Sequence, residues 1–159
     1  MKGSVRKKKI ATQTLFYINQ YRSSQGNGKL SQLPGLTKYA QYRSKQIITN
    51  FAHDTKDQRI AATTLKYGQY IDPSDFGDTG EPYYEVNARE AIGQYLSAGA
   101  IDEIAKSLAD GVRNSSGHWA YVGSSQYSYV GLGVSYGNGG WYCSISVART
   151  NIDQNPAGY

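Results

Sequence analysis

The sequence predicts an α+β fold, with helices first and an antiparallel hairpin last, and three observations carry that reading. Apolar residues recur at spacings of three and four through most of the chain. The last part switches to a period of two and is rich in β-branched and aromatic residues. A Gly137, Asn138, Gly139, Gly140 run then divides it into two strands.

The elements follow in order. Residues 11–23 (ATQTLFYINQYRS) place Leu15, Ile18 and Tyr21 or Arg22 at helical spacing, and the Gly26, Asn27, Gly28 cluster stops the pattern. After Leu33, Pro34 and Gly35, a second helix carries Leu36, Ala40, Arg43 or Ser44 and Ile47 on one face and runs toward His53, with Thr37 as its expected N-cap. Residues 54–82 are polar and rich in Asp, Gly and Pro, with a short helix expected around Asp57 to Tyr67 and a long excursion after it. Helical segments are expected from Tyr84 to Leu96 and from Ala100 to Val112, ending at Asn114 to Gly117. The hairpin joins Tyr127–Tyr136 to Trp141–Ala148.

The 159 residues suit one domain with a real core. Charged residues make up 18% and hydrophobic ones 39%, which argues against a disordered chain. No apolar stretch approaches the roughly 20 residues of a spanning helix. The net charge of +5 is carried wholly by Lys2, Arg6, Lys7, Lys8 and Lys9; without them 12 basic residues face 12 acidic ones. The body therefore lacks the basic footprint of a nucleic-acid binder, and nucleic acid is not an expected partner. Residues 1–9 read as a basic leader, solvated or tethering to an anionic wall polymer or lipid, and residues 10–159 as the single domain.

The one cysteine, Cys143, excludes an intramolecular disulfide and reads as a small core residue of the last strand. No serine sits in a Gly-x-Ser-x-Gly elbow. Gly131, Leu132, Gly133 lies within a strand pattern that no helix follows, so it is no phosphate loop. The tyrosines between Tyr67 and Tyr84 would suit a glycan or an extended peptide.

The two histidines, His53 in FAHD and His118 in NSSGHWAYV, each stand where an element ends, beside small, acidic and aromatic residues that favour clefts over cores. Together with LFYINQYRSSQGNGKL, YYEVNA and the closing YVGLGVSYGNGGWYCSISVA, these segments resemble the CAP superfamily. That superfamily unites cysteine-rich secretory proteins, antigen 5 and plant pathogenesis-related proteins with many bacterial members. FAHD resembles its aromatic-x-His signature, YYEVNA a variant of its Gly-Glu-Asn-Ile motif, and NSSGHWAYV its Ser-x-Gly-His motif.

The resemblance implies a three-layer α-β-α sandwich and a cleft tetrad of two histidines and two acidic residues. His53 and His118 would face each other with Glu85 between them; Glu81 is a rival for that position, and Glu103 or Asp102 is available for the second acid. Two neutral imidazoles with one or two carboxylates suit Zn²⁺ or a similar divalent ion. The same groups can perform acid and base work without metal, or simply join loops to sheet by hydrogen bonds. The implied role is an extracellular or cell-surface module, of bacterial or phage type, that binds a surface ligand such as lipid, glycan or protein. The alternative is a metal-assisted, peptidase-like hydrolase using the same cleft.

Overall fold

The computed structural model of the protein describes residues 3–53, 88–95, 99–149 and 151. In chain order these form α1 (Gly3–Ser24), β1 (Ser31–Gln32), α2 (Pro34–Thr49), β2 (Ala88–Tyr95), α3 (Ile101–Asn114), α4 (Ser116–Val122), β3 (Tyr129–Gly137) and β4 (Gly140–Ala148). The strands make one sheet in the order β1-β3-β4-β2. Both neighbours of β4 run antiparallel to it, while the short β1 pairs parallel to β3. The sheet is therefore mixed, with its antiparallel part formed by β2, β4 and β3.

The strand β4 is buried along its whole length, and its alternation divides the core. Trp141, Cys143, Ile145 and Val147 pack in one cluster with Ile10, Leu15 and Ile18 of α1, Ile104 and Leu108 of α3, and Val122 of α4. Tyr142 points the other way, to Ile47 of α2 and Ile92 of β2. Helices thus cover both faces of the sheet, α1, α3 and α4 on one and α2 on the other, as in an α-β-α sandwich.

The face beneath α2 is built from small residues, and this decides how closely the helix lies. A Cβ added at Gly131 would stand 2.1 Å from the carbonyl carbon of Leu36, and one at Gly133 would stand 2.4 Å from the backbone of Gln41. Ser44 and Ser135 hydroxyls meet across the same interface at 2.7 Å. At this distance the Gln41 amide acts as a piece of strand. It donates to the Val134 carbonyl at 2.9 Å and accepts from the Val134 N–H at 3.1 Å, beyond the end of β1.

Four local expectations change. The helix α1 begins at Gly3 rather than near residue 11, although its first turns are basic and oppose the helix dipole. Tertiary anchors outweigh that penalty: Arg6 donates to the Gly99 carbonyl at 2.7 Å and lies 5.8 Å over the Trp141 ring, and Ile10 is fully buried. Pro34 opens α2 with Leu33 at the N-cap, while Thr37, the expected cap, donates its hydroxyl to the Leu33 carbonyl from inside the helix.

Residues 88–95 form a strand where a helix was expected, because pairing with all of Trp141–Ala148 overrides a weak local pattern. The break expected at Asn114 to Gly117 is confined to Ser115, whose hydroxyl accepts from the His118 N–H at 3.4 Å and caps the additional helix α4. The short helix expected at Asp57 to Tyr67 and the tyrosine-bearing excursion lie outside the described residues. The hairpin forms as expected, with Asn138 at φ 48° and Gly139 at φ 76° in a two-residue turn of the type I′ class.

Because the neighbour of the missing Gly131 Cβ is helix backbone, no side chain can rotate away to make room. Gly131→Ala is expected to destabilise the fold by about 2–3 kcal/mol, lowering Tm by roughly 5–10 °C in a calorimetric scan. An unchanged Tm would mean that α2 does not press on β3 as described.

Candidate functional site

A charged residue on the buried face of α2 demands a buried counter-charge, and Arg43 finds it in Glu90 of β2. Arg43 is 3% exposed and Glu90 4%. The guanidinium donates twice to the carboxylate, from Nε to Oε2 at 2.7 Å and from Nη2 to Oε1 at 3.1 Å. It also donates to the Gln46 side chain at 2.8 Å and to the Ala52 carbonyl at 2.6 Å. Ser144 of β4 donates its hydroxyl to Glu90 Oε2 at 3.3 Å. Two parallel N–H···O bonds to one carboxylate fix both position and orientation of the acid.

His53 stands on this platform directly, and His118 reaches it through Tyr121. The bond from Arg43 to Ala52 holds the backbone beside His53, whose Nδ1 lies 3.4 Å from Glu90 Oε1. Glu90 also anchors the other histidine through its main chain: the Tyr121 hydroxyl donates to the Glu90 carbonyl at 2.5 Å. Tyr121 follows His118 by three residues on α4, so their rings share a face of that helix, 6.2 Å apart. The His53 and His118 rings meet edge to face at a centroid distance of 5.9 Å.

His53 has about half of its side chain exposed, and His118 is half-buried, so the pair is open to solvent. Burial, and then the neighbouring His53, hold the His118 imidazole below its ordinary value of 6.5. At neutral pH it is uncharged and keeps a lone pair. A carboxylate facing His53 Nδ1 favours the proton on that nitrogen, which leaves Nε2 as the acceptor.

The structure therefore brings His53 and His118 together. Two of the four expected acids, Asp102 and Glu103, fall elsewhere. Glu81 and Glu85 lie outside the described residues. Asp102 and Glu103 sit in the first turn of α3, about 17 Å along the helix from the end that leads to His118. Asp102 accepts there from Tyr17 at 2.5 Å and Gln13 at 2.9 Å.

The acid that faces His53 is Glu90, which was not among the acids expected. A signal for it existed: Glu90, Ala91, Ile92 keeps the glutamate and the isoleucine of the Gly-Glu-Asn-Ile pattern at the right spacing, whereas Glu85, Val86, Asn87 keeps the glutamate alone. Arg43 was visible only as a charge on an apolar face.

Among the described residues no three His, Cys, Asp or Glu side chains are gathered as a metal cluster. The two imidazoles have the right chemistry for a divalent ion, and Glu90 the right place to orient one of them. Its oxygens are already committed to Arg43, so it suits that supporting role better than direct ligation. Cys143 takes no part: complete burial pushes its thiol up to about 12.

The model of the cysteine-rich secretory protein family, CAP, matches residues 15–148. The chain belongs to the CAP family. A solved cysteine-rich secretory protein from Staphylococcus aureus subsp. aureus Mu50 shares the CAP fold with it, at a TM-score of 0.56 and 14% identity. That match covers 91% of this chain and 39% of the staphylococcal protein, so the present CAP domain corresponds to less than half of that protein's length. No curated protein matches the chain.

Two outcomes test the site. Arg43→Ala strands the Glu90 carboxylate in a buried setting and is expected to cost about 3–5 kcal/mol in urea unfolding, while the double variant Arg43→Leu/Glu90→Leu should cost less than Arg43→Ala alone. Additive losses would show that the two side chains do not interact.

In an NMR titration His118 should have a midpoint below 6.5, and His53→Ala should raise it by removing a neighbouring positive charge. A base depressed in the folded state binds fewer protons there than in the unfolded chain. Its linkage therefore lowers folding stability as pH falls below 6.5 toward the folded midpoint, and His118→Gln should flatten that part of the profile.

Proposed function

We propose that this CAP domain works outside the cell or at its surface as a binding module, in which His53 and His118 hold a divalent metal ion such as Zn²⁺ and present it to an oxygen-bearing group of a surface ligand. The observation that carries the reading is the convergence of two solvent-reachable imidazoles on a buried Arg43–Glu90 pair. When bound, the ion supplies a Lewis-acid contact for a carboxylate, phosphate or hydroxyl oxygen. The protein's own part is orientation and selection of a proton state. Glu90 accepts from His53, Tyr121 holds α4 against β2, and burial keeps His118 neutral.

Further ligands would come from the ligand itself or from residues beyond those described, Glu81 and Glu85 included. Binding is favoured over covalent catalysis because the chain's one thiol is buried and protonated.

Calorimetric titration with Zn²⁺ at pH 7.5 and pH 5 tests the proposal. Binding is expected at pH 7.5, at least tenfold weaker at pH 5, and lost in His53→Ala/His118→Ala, because protons compete for the same nitrogens. Equal affinity at both pH values, or retention in the double variant, would show that the histidines are not the ligands.

A further inference from the structure

A cavity of about 510 Å³ opens along the seam between α1 and α3, a size within the roughly 300–1,000 Å³ of small-molecule sites. Lys8, Lys9, Thr12 and Gln13 of α1 line it from one side, and Ile101 and Asp102 at the start of α3 line it from the other. Two bonds flank it along α1. Arg6 donates to the Gly99 carbonyl at 2.7 Å, just before α3, and the Tyr17 hydroxyl donates to Asp102 at 2.5 Å. The two walls are therefore held in place before any ligand arrives.

The lining is a set of hydrogen-bonding groups with one apolar member. Asp102 takes both Tyr17 and Gln13 on Oδ1, which leaves Oδ2 without a partner among the described residues. Thr12 is exposed and offers a hydroxyl, Lys9 is exposed and offers an ammonium, and Ile101 is the apolar member. Lysine and aspartate carry opposite signs, so the cavity is not tuned to a simple anion or cation. One isoleucine is too little apolar surface for an alkyl chain. Phe16 completes the set. It stands three and four residues on from Gln13 and Thr12, on the same side of α1, and is 50% exposed. Tyr17 meets it edge to face at a centroid distance of 5.7 Å and steadies the ring.

An aromatic ring in water beside a carboxylate, an amide, a hydroxyl and an ammonium is complementary to a pyranose, whose apolar C–H face and polar edge need those two kinds of surface together. Ile101 adds a place for a methyl group. We infer that this cavity binds a glycan of N-acetylated hexosamines, with one sugar ring on Phe16 and its acetamido group in the cavity. The acetamido N–H donates to Asp102 Oδ2, its carbonyl accepts from Lys9, and its methyl lies on Ile101. A sugar without the acetamido group leaves Oδ2 and Ile101 unused. The site is independent of the metal reading, since Asp102 lies at the end of α3 remote from the helix that carries His118.

NMR titration of the isotope-labelled protein with two tetrasaccharides tests this. Chitotetraose, fully N-acetylated, and cellotetraose differ only in bearing acetamido or hydroxyl groups at the second carbon. Chitotetraose should bind at least tenfold more tightly, because an unmatched polar site rejects the analogue that lacks the bonding group, and amide shifts should centre on residues 8–17 and 101–103. Lys9→Ala/Phe16→Ala, both at exposed positions, should weaken binding about tenfold or more with Tm unchanged. Thr12→Trp should fill the cavity and abolish binding with the far-UV circular dichroism unchanged; if it does not fold, the double variant decides. A tetrasaccharide alternating N-acetylglucosamine with N-acetylmuramic acid separates the sources of this chemistry. Binding tighter than that of chitotetraose assigns cell-wall glycan, its lactyl carboxylate reaching Lys8, and weaker binding assigns a chitin-type chain. His53→Ala/His118→Ala should bind chitotetraose as the unmodified protein does. Equal affinity for chitotetraose and cellotetraose, no binding of chitotetraose, unchanged affinity in Lys9→Ala/Phe16→Ala, or loss of binding in the histidine variant would each overturn the inference.

Discussion

The buried ion pair between Arg43 and Glu90 is the constraint on which the site depends. A desolvated carboxylate is tolerable only if its counter-charge and hydrogen bonds are all in place, so the pair dictates where α2 stands relative to β2. The same guanidinium fixes Ala52 beside one histidine, and the same glutamate accepts through its main chain from the helix that carries the other. One arginine thus organises a loop and a helix that are far apart in sequence. Such a pair contributes little net stability compared with an apolar pair of similar volume, but breaking one half of it is costly.

Packing on the α2 face makes that pair possible. Gly131, Gly133 and Ser135 of β3 leave no side-chain layer between sheet and helix, and α2 rests close enough for Gln41 to bond the β3 backbone directly. The opposite face is built in the ordinary way, from interdigitated Ile, Leu and Val. The sheet therefore has one face that supplies cohesion and one that sets distance.

A second buried arginine plays the corresponding part on the cohesive side. Arg22, at the end of α1, donates to the carbonyls of Gly28, Val122, Ser124 and Tyr127, tying together the turn after α1 and the segment that follows α4. Asn27 adds a bond to the Gly123 carbonyl at 2.7 Å. With one cysteine the chain has no disulfide with which to hold these connections. Multidentate arginines do this work instead, since five donors in a fixed plane can satisfy several loop carbonyls at once.

The closing hairpin, the amphipathic α3, the core role of Cys143 and the meeting of the two histidines were legible in the sequence, because each rests on short-range periodicity, turn chemistry or a family motif. Legibility failed where a residue's meaning lay in a partner far along the chain. Arg43 and Glu90 are 47 positions apart, and Glu90 occupies a strand whose two covered faces erase the alternation that would have marked it. Residues 1–9 read as a basic leader because their charge stands apart from a neutral body, and only Trp141 and Gly99 explain why the helix extends there. Local physical chemistry in the sequence thus determined the class of fold and the two imidazoles. Tertiary structure alone decided which carboxylate faces His53 and where the lysines go, because burial and counter-charge are properties of residues that meet only once the chain has folded.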